Sequence, residues 1–323
     1  MNEDHIDGAG LFEAGATLVD HGGDATWAEG PVWIPALRAV RFSDIPGNRI
    51  LQWTQDDDQV RVYAEQAEFT NGRTLGHDGA VIQCSHGRRH VEIDRDGTVT
   101  PLVERWNGHR FNSPNDVVVK SDGTVWFTDP SYGIKRPAEG HAGNLEYRDH
   151  WVFRFDPESG SVEPVIMDVE MPNGLAFSPD ESLLYVSDTS IDLPSDEPNP
   201  SGAHWIHVYD VQDGRLCKNG RIFKMIEPGL PDGIRVDEHG NVWSSALDGV
   251  HVYNPTGRRI AFLRTPLKVG NLCFGGEDGR TLFVVATTRL HSIRTTVRDA
   301  AQVLRESKAG EPKRDRSRRR VRG

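Results

Sequence analysis

Three cysteines in 323 residues, Cys84, Cys217 and Cys273, are too few, too far apart and odd in number to build a disulfide framework. They fit a reducing compartment, and the cytoplasm is the expected location. No apolar run is long enough for a membrane-spanning helix, and no apolar stretch of the secretory kind follows the acidic start Met1-Asn2-Glu3-Asp4-His5. Also missing is any extended stretch with apolar residues at the helical period, so an all-β chain is expected. The familiar catalytic signatures are absent as well. There is no Gly-x-Ser-x-Gly elbow, no close Cys or His cluster for zinc, and no Gly-rich phosphate loop with its Lys, which argues against serine esterase and zinc hydrolase chemistry.

Positive charge is scarce until the end. The formal net charge is -11, yet the residues from Arg305 onward hold nine Lys or Arg against three acids, which leaves roughly -17 on the rest. An acidic body repels phosphate and attracts cations, so neither nucleic acid nor membrane is an expected partner. The basic stretch Lys313-Arg314-Asp315-Arg316-Ser317-Arg318-Arg319-Arg320 reads as a disordered terminus, with residues 296–323 forming the tail.

What the chain has in abundance is a repeat. Glu29-Gly30-Pro31, Asn71-Gly72-Arg73, Asn115-Asp116-Val117, Asn173-Gly174-Leu175, Asp232-Gly233-Ile234 and Asn271-Leu272-Cys273 recur at intervals of roughly 40 to 60 residues. Each is followed by a turn, at Leu37-Arg38, Gly79, Gly123, Ser178-Pro179-Asp180-Glu181, Gly240 and Gly279 in order, and then by a second apolar strand such as Val125-Trp126-Phe127. Strand, Gly or Asp-Gly turn, strand is a hairpin signature, and six hairpins backed by further strands predict a six-bladed β-propeller. The expected domain runs over residues 16–295 behind a loose lead-in of residues 1–15, with Ala16-Thr17-Leu18-Val19 placed to close the ring by pairing with the last blade. Two polar insertions interrupt the repeat, one after Gly133 with His141, Asn144 and Glu146, and one at Leu193 to Pro200. Their length and composition suggest rim loops that cover a site.

Residues at one register of a propeller's inner strands converge on its central channel. Glu29, Asn71, Asn115, Asn173, Asp232 and Asn271 should therefore form a ring, with Asp44, His86, Asp129 and Asp188 brought back toward it by the second strands. Carboxylates with amide oxygens are hard donors suited to Ca²⁺, Mg²⁺ or Mn²⁺. Asn-Gly and Asp-Gly also make plain turns, but a turn gains nothing from Glu29.

The segments Ala28-Glu29-Gly30-Pro31-Val32-Trp33, Asn112-Ser113-Pro114-Asn115-Asp116-Val117-Val118, Phe127-Thr128-Asp129-Pro130-Ser131-Tyr132-Gly133, Met171-Pro172-Asn173-Gly174 and Pro231-Asp232-Gly233 resemble the SMP-30/gluconolactonase/LRE-like family over about residues 16 to 293. The resemblance implies a propeller that hydrolyses lactones, typically of sugar acids, with one divalent cation in the channel: calcium first, magnesium, manganese or zinc as alternatives. It places the metal ligands on Glu29, Asn173 and Asp232, with Asn115 as a further ligand or substrate contact. Some members carry an Arg two positions before that Asn; here Ser113 stands there, with Arg110 upstream.

In chemical terms, a cation polarises the lactone carbonyl and Asp232 accepts the proton of the attacking water, or Asp232 only holds the metal. Asn112, Tyr132, His86 and Asp129 complete the expected substrate contacts, although His86 and Tyr132 also read as packing residues, and Asp129 and Asp188 as loop anchors. The competing readings are a metal-dependent esterase or phosphotriesterase on the same scaffold, and a non-catalytic binding propeller.

Overall fold

Six tight turns set the blades. Arg38, Gly79, Gly123, Glu181, Gly240 and Gly279 all adopt left-handed backbone with φ between +46° and +91°, at the six turn positions the repeat marks out. In this computed structural model, which describes residues 6–8, 10–194 and 199–309, each turn joins the innermost strand of a blade to the next. Blade one comprises Ala28–Ile34, Ala39–Asp44, Arg49–Thr54 and Gln59–Glu65; blade two Thr70–Leu75, Val81–Ser85, His90–Arg95 and Thr98–Val103; blade three Val117–Val119, Val125–Asp129, Trp151–Asp156 and Ser161–Ile166. Blade four comprises Pro172–Phe177, Leu183–Asp188, Trp205–Gln212 and Leu216–Met225; blade five Ile234–Val236, Val242–Ser245, Gly249–Tyr253 and Arg259–Arg264. Blade six, Val269–Gly275, Thr281–Ala286 and Arg289–Arg294, takes its fourth strand, Val19–Gly22, from the start of the chain. The expected ring closure is therefore present, shifted from Ala16–Val19 to a more polar strand in which Val19 faces Ser292.

The core lies between blades, where apolar residues of successive sheets interlock. Trp33 stacks on Phe283 across the closing junction at 5.5 Å between ring centroids, and Phe111, Phe127 and Phe153 pack mutually between blades two and three. Each buried aromatic contributes burial plus an oriented ring contact of ~1 kcal/mol.

At the ring positions the Asn-Gly and Asp-Gly pairs are not turns. Asn173 and Gly174 lie inside the strand Pro172–Phe177, and a Cβ on Gly174 would sit 2.4 Å from the Asp232 carbonyl oxygen. The glycine is there because inner strands of adjacent blades touch, with Gly174 N–H donating to that carbonyl at 3.1 Å.

Both ends of the domain depart from expectation. The lead-in is tied down: Ile6–Asp7 pairs with Arg259–Arg264 as a fifth strand of blade five, and buried Phe12 meets Trp243 edge-on. The tail assigned to residues 296–323 is helical over Ala300–Ala309. Asp299 caps this helix, its Oδ1 accepting from the amides of Ala301 and Gln302. One side of it, including Ala300 and Leu304, faces the propeller. The basic stretch 313–320 lies outside the described residues. Among the described residues no helix is long and apolar enough to cross a membrane.

Candidate active site

One repeated device aims the ring. The aspartate that ends a blade's second strand accepts two backbone amides from the segment entering the inner strand. Asp44 takes Thr26 and Trp27 at 2.8 and 3.2 Å, Asp129 takes Asn112 and Ser113 at 2.7 and 2.8 Å, and Asp188 takes Glu170 and Met171 at 3.1 and 3.2 Å. Each clamp fixes the chain two or three residues before Glu29, Asn115 and Asn173 respectively. Blade five uses Ser245 Oγ, which accepts from the Asp232 amide at 2.8 Å.

The clamped residues line one cavity of about 230 Å³ at one mouth of the channel, with Glu29, Asn71, Asn115, Asn173 and Asp232 around its floor. Glu29 Oε2 accepts from Gly30 N–H at 3.0 Å and Asn271 Nδ2 at 3.2 Å, so Asn271 supports the ring from behind. Glu29 Oε1 is buried and has no hydrogen-bond partner. Among the described residues nothing donates to the Asp232 carboxylate or to the side-chain oxygens of Asn115 and Asn173. Burial raises the carboxyls of both Glu29 and Asp232 above the ordinary range, and for Glu29 the nearby charge of Asp232 adds to it. An orphaned carboxylate oxygen, a second open carboxylate and two free amide oxygens form a donor set that fits a hard divalent cation.

Rim residues complete the cavity, two of them from the insertion after Gly133. Arg136 and Glu139 follow the short helix Tyr132–Lys135, and Asp192 follows blade four's second strand. Arg136 lies over the Tyr132 ring, its Cζ 4.7 Å from the centroid, and pairs with Glu139 at 3.1 Å and Asp192 at 2.9 Å. Lys268 sits over Trp27, Nζ 4.8 Å from the ring centroid, and forms no ion pair with any described residue. With Glu29, Asp232, Glu139 and Asp192 all ionised, Arg136 and Lys268 would leave two negative charges for one dication to balance.

Three expected substrate contacts stand one layer back. His86 is wholly buried, its Nε2 accepting from Asn71 Nδ2 at 3.3 Å and its Nδ1–H donating to the Glu139 carbonyl at 3.0 Å. Burial pushes its pKa down to about 4, so it holds Asn71 and the rim loop as a neutral imidazole. Asn112 spends its amide on the carbonyls of Asp129 and Asp149 and on the Tyr147 hydroxyl, and Asp129 is the clamp described above. None of these three lines the cavity. Tyr132 does line it, but its hydroxyl is engaged with Thr189 Oγ1 at 2.6 Å. Arg110 points away and pairs with Glu146.

Sequence reasoning missed Trp27, Leu230, Lys268, Thr189, Arg136, Glu139 and Asp192. For the first three a signal existed: they precede the ring positions Glu29, Asp232 and Asn271 by two or three residues and enter the channel beside them. Those on insertions have no register from which to be placed. Of the insertion around Pro194, residues 195–198 lie outside the described residues.

Fold and site together define a six-bladed propeller with a polar pocket of carboxylates and amide oxygens at one mouth of its channel. The chain belongs to the SMP-30/gluconolactonase/LRE-like family, whose profile matches residues 27–288. It is 33% identical to the gluconolactonase of Zymomonas mobilis, over 84% of this chain and 79% of that one. Among solved structures, one of a putative gluconolactonase superposes with a TM-score of 0.83 at 39% identity, covering 91% of this chain and 99% of the other. A gluconolactonase from Xanthomonas campestris gives 0.82 at 34%, covering 90% and 95%.

Proposed function

We propose that the protein hydrolyses lactones of polyhydroxylated acids, with glucono-1,5-lactone the first substrate to test, in a reaction that requires a divalent cation. The chain is a hydrolase acting on carboxylic ester bonds, a reading supported by the gluconolactonases it resembles over most of its length. The observation that carries the metal requirement is Glu29 Oε1, buried without a partner beside the open carboxylate of Asp232. A cation held by Glu29, Asn173, Asp232 and Asn115, calcium by preference for such oxygen donors, would supply Lewis-acid polarisation of the lactone carbonyl.

The chain's own groups do the rest. Asp232 accepts the proton of the attacking water. Arg136, held by two carboxylates, presents donors to ring hydroxyls. Lys268, with no carboxylate partner among the described residues, offers its ammonium to the oxygen that gains charge as the ring opens. Net neutrality with one dication suits an uncharged lactone, whose ring-opened product is an anion.

The test is hydrolysis of glucono-1,5-lactone compared with an aryl ester and a phosphotriester, before and after chelation. Chelation should abolish lactone hydrolysis, and Ca²⁺, Mg²⁺, Mn²⁺ or Zn²⁺ should restore it. Preference for the aryl ester or phosphotriester would move the substrate class, and full activity in metal-free protein would remove the cation. Persisting activity in Asp232→Ala that still binds metal would end the proton-accepting role.

A further inference from the structure

Far from this mouth, at the junction where the ring closes, three segments meet in an arrangement the lactone chemistry does not use. His21 comes from the closing strand Val19–Gly22, Ser292 from the strand beside it, and Asp58 from the turn between the third and fourth strands of blade one. His21 Nδ1 lies 2.6 Å from Asp58 Oδ1, and His21 Nε2 lies 2.7 Å from Ser292 Oγ. The ionised carboxylate can only accept, which assigns the proton to Nδ1 and leaves Nε2 to take the hydroxyl proton of Ser292. Asp58 is itself oriented by Trp53, whose Nε1–H donates to it at 2.7 Å, and the hydrogen bonds from Trp53 and His21 hold its carboxyl below the ordinary range. The imidazole is fixed from the side by the Trp53 ring at 4.5 Å. Serine, imidazole and carboxylate thus stand in the order and at the spacing of a nucleophilic triad, which is recognised by geometry and not by sequence position.

The arrangement opens into a cavity of about 510 Å³. Trp53 and Phe283, 5.4 Å apart, make its apolar wall, and Glu277, Asp278 and Asp58 make its rim acidic against the single cation Arg294. Arg294 is already bound to Asp278 and Glu13. Such a pocket disfavours anionic ligands and accommodates a small uncharged acyl or aryl group. Gln55 and Arg294 are the side-chain donors it offers to a carbonyl oxygen.

We propose that Ser292, His21 and Asp58 form a second, metal-independent nucleophilic site whose serine is acylated by small neutral carboxylic esters. Ser292 Oγ bonds to the ester carbonyl carbon as its proton passes to His21 Nε2. The carbon–oxygen bond to the alcohol breaks and that proton leaves with the alkoxide as alcohol. Water then adds to the acyl-serine, releasing the acid and restoring the hydroxyl. With a fluorophosphonate the same oxygen bonds to phosphorus, fluoride leaves and the adduct persists.

The experiment uses full-length protein in excess chelator, which silences the channel site, treated with diisopropyl fluorophosphate and separately with p-nitrophenyl acetate. Peptide mass spectrometry should find one adduct per chain, on Ser292. Ser292→Ala and His21→Gln should lose the adduct and the chelator-resistant acetate hydrolysis while keeping metal-dependent lactone turnover. Asp58→Asn should label at least ~10-fold more slowly. The adduct's position in the native chain decides the matter even if a variant folds poorly. No adduct on Ser292, unchanged labelling in Asp58→Asn, or full chelator-resistant hydrolysis in Ser292→Ala would overturn the assignment. Loss of lactone turnover in native protein would count against the channel reading alone.

Discussion

The two mouths of the channel are built from opposite ends of the same inner strands, and they differ in almost every physical respect. One end presents Glu29, Asn71, Asn115, Asn173 and Asp232 to an open polar cavity. A few residues further along each strand the lining becomes Val32, Leu75, Val118, Phe177, Val236 and Phe274, closed over by the helix Ala300–Ala309 around a cavity of about 340 Å³. Arg73 and Arg235 separate the two regimes: Arg73 donates to the Gly30 carbonyl and Ser43 Oγ, and Arg235 pairs with Asp116 at 3.4 Å. The polar mouth tolerates open acids that oppose folding; the apolar mouth supplies burial that favours it. A scaffold of this kind places its chemistry at one end of each strand and holds itself together at the other.

The sharpest way to test this division is to neutralise the polar mouth. Glu29→Gln or Asp232→Asn should lower kcat/KM on the lactone by ~10³-fold or more, while raising the melting temperature of the chelated protein by about 2–4 °C as the repulsion between the two buried acids disappears. A fall in melting temperature on chelation-matched comparison would show that the acids do not strain the fold. The reverse experiment places an acid at the other mouth. Val236→Asp puts a carboxylate into the buried cluster that holds Ala176, Ile234 and Val242 and should cost about 3–5 kcal/mol, read by denaturant unfolding.

Breaking a clamp should have an intermediate effect. Asp188→Ala strands the amides of Glu170 and Met171, costs about 1–3 kcal/mol, and should also reduce kcat/KM by ~10-fold because Asn173 loses its fixed entry angle. The smallest effect is expected from ending the chain after Asp299. Loss of the closing helix should lower the melting temperature by about 2–4 °C and leave kcat/KM within about twofold, measured by thermal unfolding and lactone turnover.

The sequence made some of this division readable and hid the rest. The blades were legible because every repeat carries a turn residue that adopts left-handed backbone and a short apolar strand after it. The ring was legible because Glu29 and Asp232 break an Asn pattern. His86, Asn112 and Asp129 stand behind the cavity lining: register fixes which end of a strand a residue occupies but not whether it stands in the first layer or behind it. Their hydrogen bonds to the backbone and to Asn71 place them behind. Arg136, Glu139 and Asp192 lie on loops whose course depends on tertiary contacts such as Arg89 with the carbonyls of Phe111 and Asn144. The helix over Ala300–Ala309 was hidden because its apolar residues span a single ten-residue stretch, too short for a helical period to stand out.

The pairing of Val19–Gly22 with Arg289–Arg294 has a consequence for the chain's history as well as its stability. During synthesis Val19–Gly22 emerges long before its partner strand Arg289–Arg294, so five blades wait with an open edge at each end. Joining ends so far apart costs loop-closure entropy that grows only as the logarithm of length, so the delay is the larger burden. The interval before closure is when another nascent copy competes for those edges, and the short, polar, glycine-ended strand Val19-Asp20-His21-Gly22 is a poor template for such a competitor.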